Sequence, residues 1–108
     1  MFECVGAQVV RHRYREILQA VPNYTIRGPR SVLVEPEANR AAFEVVQTGT
    51  ITRRLHGTYG TMLPSTERVC VDTVIVADFD RAGLVARVRM YFDLDGIDRE
   101  PNCDRATR

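Results

Sequence analysis

Between Cys70 and Asp93 two runs that alternate apolar with polar or mixed positions flank Asp80-Arg81-Ala82-Gly83, a turn-forming stretch. This arrangement predicts an antiparallel hairpin, and its hydrophobic pattern constrains the fold more than any other feature. With residues 80–83 as a four-residue turn, the facing pairs are Phe79/Leu84, Ala77/Ala86, Ile75/Val88, Thr73/Met90 and Val71/Phe92. One face is then almost wholly apolar. The opposite face carries Asp78/Val85, Val76/Arg87, Val74/Arg89, Asp72/Tyr91 and Cys70/Asp93, with Asp72 diagonal to Arg89 as an expected ion pair. A slip of one residue would set these two rows against each other, so the pairing is expected to be strongly specified.

The apolar row needs cover. Upstream, Val10, Tyr14, Ile17, Leu18 and Val21 recur at three- and four-residue steps, which predicts an amphipathic helix from Gly6 to a stop at Pro22-Asn23. An extended stretch from Tyr24 to Glu35 is interrupted at Gly28-Pro29, and a turn follows through Pro36 to Asn39. Arg40 to Thr52 reads as a long strand bent at Gly49, and Arg53 to Glu67 as a loop. The fold expectation is therefore α+β: a strongly bent antiparallel sheet of about four strands with one N-terminal helix on its concave face. The domain is expected to span residues 1–97, with a charged, disordered tail at 98–108. A helix of about 15 residues is only about 22 Å long, too small to shield long strands alone, so a ligand, a second subunit or further polypeptide must cover the remainder.

Composition excludes several chemistries. All 15 basic side chains are Arg, so Schiff-base chemistry and a P-loop lysine are ruled out. The net charge of +1, with acids interleaved among the arginines, argues against a nucleic-acid partner. No run approaches the roughly 18 to 20 apolar residues of a membrane span. The N-terminus carries no readable secretory signal, and Cys4, Cys70 and Cys103 form no C-x-x-C pair, so a reduced, cytoplasmic chain is the default expectation. Two isolated histidines give no metal motif, and no cofactor is expected.

Val46-Gln47-Thr48-Gly49-Thr50, the turn from Leu63-Pro64 to Arg68 and the closing Val88-Arg89-Met90-Tyr91-Phe92-Asp93 resemble the SnoaL-like polyketide cyclase and limonene-epoxide-hydrolase branches of the nuclear-transport-factor-two-like superfamily. The resemblance covers most of Gly6 to Ile97 and implies a cone-like fold, with the usual first helices lying before Met1. It supports fold far more than function. The epoxide hydrolases carry a catalytic acid at the position of Met90 and an Arg-x-Asp on an earlier strand. No Arg-x-Asp occurs between Arg40 and Arg68. Ketosteroid isomerases place a protonated Asp where this chain has Ile75.

The resulting expectation is an apolar pocket lined by Val71, Thr73, Ile75, Val88, Met90 and Phe92, suited to a polycyclic, terpenoid or steroid-like molecule. Thr73 supplies the hydroxyl that orients it. His56 is the candidate proton-transfer group, with an exposed loop histidine as its alternative. The competing expectation is a non-catalytic association module or fragment of a larger cone, dimerising through Asp72, Arg87, Arg89 and Tyr91.

Overall fold

The computed structural model describes residues 2–57, 60–92 and 97–99. Asp93, Cys103 and residues 100–108 of the expected tail lie outside them. These residues form an α+β fold, with one α-helix and an open antiparallel sheet of six strands among them rather than about four. Strand β1 (Phe2–Val5) precedes helix α1 (Ala7–Ala20); β2 (Thr25–Glu35), a 3-10 turn at Pro36–Ala38 and β3 (Arg40–Gly49) follow. A short ribbon of β4 (Leu55–Gly57) and β5 (Gly60–Met62) occupies the expected loop. Then come β6 (Val69–Phe79), β7 (Val85–Tyr91) and β8 (Asp98–Arg99). The sheet order is β1-β7-β6-β3-β2, and β8 pairs with the start of β6. That pairing corrects the expectation of disorder at residues 98 and 99.

The helix forms where its periodicity predicts. Gly6 adopts a φ of 96° at the corner between β1 and α1, a conformation that costs glycine little, and its N–H donates to Ala86 O at 2.7 Å. At the other end, the Thr52 N–H and hydroxyl both donate to Ala20 O, at 2.7 and 3.0 Å. They satisfy a carbonyl that the helix itself leaves open. Strand β3 stops at Gly49 rather than bending there. A Cβ on Gly49 would stand 2.2 Å from Val21 Cγ1, so glycine admits the helix end against the strand.

From Arg87 onward the hairpin keeps its two predicted faces but not its register; on the turn side of a bulge, Val85 moves from the expected mixed row to face Phe79 on the apolar one. Ile75 pairs with Met90, Ala77 with Val88, Asp78 with Arg87 and Phe79 with Val85, so the pairing is displaced by two residues over most of its length. The alternation has period two, and a slip of two leaves every side chain on the same face; only a slip of one is penalised. Asp80 sets the turn: its Oδ1 accepts from the N–H groups of Ala82 and Leu84, both at 2.9 Å, and Gly83 takes a φ of 82°. A bulge at Ala86 absorbs the extra residue.

Helix α1 packs on β1 and β7 and reaches β4. Val45, Ile75, Val88 and Met90 form the core beneath it, with Val10 and Tyr14 of the helix and Phe43, Val85 and Phe92 against them. Each such side chain contributes about 1.5 to 3 kcal/mol on burial. Ala20, Val21 and Ile51 make a second cluster at the helix end, where Leu55 and Met62 of the ribbon close over it. On the far face of the sheet, Arg30 of β2 reaches across β3 to Asp72 of β6 at 3.2 Å. The pair spans the sheet at the level of Val46, which is only 1% exposed.

Candidate functional site

The six residues expected to line a pocket fall on the helix side of the sheet or at its border. Ile75, Val88 and Met90 are in the core cluster and Phe92 packs on it. Thr73 is 3% exposed, and its hydroxyl donates to Val71 O at 3.3 Å. Met90 faces Ile75 rather than Thr73, because of the two-residue displacement.

Thr73 is one end of a chain of polar side chains. Gln47 of β3 donates through Nε2 to Thr73 Oγ1 at 2.8 Å, and the Tyr24 phenol donates to Gln47 Oε1 at 2.5 Å. Three strand or pre-strand residues far apart in sequence thus meet inside an otherwise apolar layer. Sheet register brings them together: Gln47 stands opposite Ile26 and Val71, within one side-chain spacing of Tyr24 on one flank and Thr73 on the other. Burial holds the Tyr24 phenol well above its usual range, and the neighbouring Tyr14 raises it further. Tyr14, which packs on the core from the helix, is also pushed up by burial. Both phenols are neutral at physiological pH.

The donor accounting constrains what the chain can bind. The Tyr24 hydroxyl proton is spent on Gln47, and the Thr73 proton on Val71 O. What remains is a lone pair on each of the Tyr24, Gln47 and Thr73 side-chain oxygens and the second N–H of Gln47. A ligand hydroxyl complements that set, since it both donates and accepts. Neither Tyr24 nor Gln47 was singled out from sequence. The available signal was a glutamine on the otherwise apolar helix-facing row of β3, after Ala41, Phe43 and Val45, where a buried amide needs partners.

His56 lies in β4 rather than in a loop. Its side chain is exposed, and Nδ1 sits 2.9 Å from Thr61 Oγ1 across the ribbon. No described hydrogen bond or ion pair joins it to the Tyr24–Gln47–Thr73 chain. His12 is exposed and lies 3.3 Å from Glu16 one helical turn on. Cys4 is buried, and burial pushes its thiol up, away from nucleophilic character. Among the described residues no group of three or more His, Cys, Asp or Glu side chains could hold a metal ion. No helix among the described residues is long and apolar enough to cross a membrane.

The four residues expected at a dimer contact share the far face, but the expected Asp72–Arg89 pair does not form. Asp72 pairs with Arg30, whereas Arg89 lies 3.8 Å from Asp78 and 3.5 Å from the Tyr91 hydroxyl. The register displacement is the cause: it puts Arg89 opposite Val76 and so moves its diagonal acid from Asp72 to Asp78. Arg87 pairs with Glu3 of β1, and Asp78 also accepts from Arg40 Nε at 2.5 Å.

No protein-family profile and no curated protein matches this chain. Among solved structures it is similar to AclR, a putative hydroxylase from Streptomyces galilaeus, at 20% identity and a TM-score of 0.57. The match covers 96% of this chain and 61% of AclR, so the chain spans less than two thirds of that protein's length. At that identity the likeness is one of fold.

Proposed function

We propose that this chain is a SnoaL-like small-molecule-binding domain, a relative of the cyclases, isomerases and hydrolases of that group without their usual catalytic acids. The ligand is an apolar polycyclic, terpenoid or steroid-like molecule bearing a hydroxyl. The reading is carried by the Tyr24–Gln47–Thr73 chain. Buried polar groups are costly unless satisfied, and a linked set with unused acceptors and one unused amide proton is an orienting device for a neutral ligand. The fold shared with AclR is consistent with it. If the domain is catalytic, His56 is its proton-transfer group, and turnover that persists in His56→Ala sinks that assignment.

The test is native mass spectrometry followed by fluorescence titration with a hydroxyanthraquinone such as emodin. A co-purified mass or saturable binding that weakens about tenfold in Gln47→Leu supports the reading. Binding that is absent, or indifferent to Gln47→Leu and Thr73→Val alike, overturns it.

A second reading rests on the far face. Val74 and Tyr91 are each 38% exposed there, and Asp72, Arg87 and Arg89 already have partners within the chain. A dimer through this face would bury apolar area without isolating a charge. Arg89→Asp should abolish such a dimer, and one that persists counts against it.

A further inference from the structure

Strand β2 ends the strand order of the sheet, and its outer edge has no partner strand among the described residues. Proteins blunt such edges with prolines, bulges or charges, because an open row of N–H and C=O groups recruits another strand. Here the blunting devices, Pro29 and the bulge between Arg27 and Ser31, sit in the first half of β2. The second half, Ser31 to Glu35, pairs regularly with β3 and carries three successive apolar residues. Val32 is 47% exposed, Leu33 70% and Val34 66%, so this edge is apolar on both faces. Helix α1 leans toward β1 and β7 and leaves this corner bare.

We propose that residues Ser31–Glu35 pair antiparallel with the same edge of a second copy of this chain, extending the sheet across a two-fold axis. Three features select a second copy over another strand. The apolar run is self-complementary: with the axis at Leu33, Leu33 meets Leu33 of the second copy on the far face, and Val32 meets Val34 on the helix face. Charge along this part of the chain is polarised, with Arg27 and Arg30 before the run and Glu35 and Glu37 after it. Antiparallel pairing brings each basic end against the acidic end of the other copy. Arg27 and Glu37 make no ion pair within the chain among the described residues and are free to do so, and Glu35 stands opposite Arg40, whose guanidinium is bonded to Asp78. Finally, the cleft of about 310 Å³ beside this edge, where Val34, Pro36, Ala41 and Phe79 stand beside the charged Arg40 and Asp80, gives the second copy's Val32 some apolar surface to lie against.

A five-residue edge buries less than the roughly 800 Å² per partner of a standard interface, so the dimer is weak and concentration-dependent. Sedimentation velocity from low micromolar to several hundred micromolar protein tests it. The expected result is a reversible monomer–dimer equilibrium weakened at least about tenfold by both Leu33→Glu and Val34→Glu, but not by Arg89→Asp. Each variant's circular dichroism should match the parent, because both side chains are exposed. Using Val34 separates this edge from the far face, since Val34 lies on the helix side. A protein that is monomeric throughout, or a dimer unaffected by Val34→Glu, overturns the proposal. Loss of the dimer in Arg89→Asp alone would assign it to the far face instead.

Discussion

The helix-facing surface of the sheet divides into two regions with similar apolar sequences and opposite fates. On β6 and β7, Ile75, Val88 and Met90 are buried under α1; on β2, Val32 and Val34 remain in water. Strand composition does not distinguish them. What does is the reach of one 14-residue helix, anchored at Gly6 on Ala86 and at Ala20 on Thr52, which fixes its path over β7 rather than β2. The sheet is wider than its cover, and the uncovered corner is where this fold has apolar surface to offer a partner.

The contrast breaks most visibly at its buried end. Met90→Ala should cost about 2 to 5 kcal/mol in urea unfolding, whereas Val34→Ala should change stability by no more than about 0.5 kcal/mol. Equal costs would mean that the two regions are equally covered in solution. Gly49→Ala probes the point where helix and sheet approach most closely, and overpacking against Val21 should cost about 1 to 3 kcal/mol.

Tyr24→Phe is smaller, about 1 kcal/mol at neutral pH, because it removes one hydrogen bond and leaves Gln47 Oε1 short of a partner. It also has a pH signature. The folded-state values of Tyr24 and Tyr14 lie above the ordinary value of 10.0, so the folded protein holds those protons longer than the unfolded chain does. Stability is unaffected below about pH 10 and falls as pH rises beyond it. Unfolding at mildly and strongly alkaline pH should show that fall, with a reduced slope in Tyr24→Phe. On the far face, Arg30→Ala should cost no more than about 1 kcal/mol, since the Arg30–Asp72 pair is largely exposed, and salt should shrink the effect.

Much of the covered region was legible in sequence. The three- and four-residue spacing of Val10, Tyr14 and Ile17 marked the helix, and alternation from Val71 to Phe79 marked the faces of β6. Alternation cannot distinguish registers that differ by two, and that ambiguity misassigned the partners of Asp72 and Arg89. Strand β1 was missed because four residues ahead of a glycine carry no resolvable period. The β4–β5 ribbon was missed because its glycines also fit a loop. Thr73 was visible as the one hydroxyl on the apolar row. Tyr24 and Gln47 were not, because their contacts span 23 and 26 residues of sequence and exist only once the strands are in register.

The account turns on whether the covered region admits a ligand at the Tyr24–Gln47–Thr73 chain, and a methyl-detected NMR titration with emodin reports on that region directly. The predicted result is saturable shifts of the Thr73 and Met90 methyl groups, with those of Val74 on the far face unmoved. Shifts confined to Val74, or none at saturating probe, would contradict it.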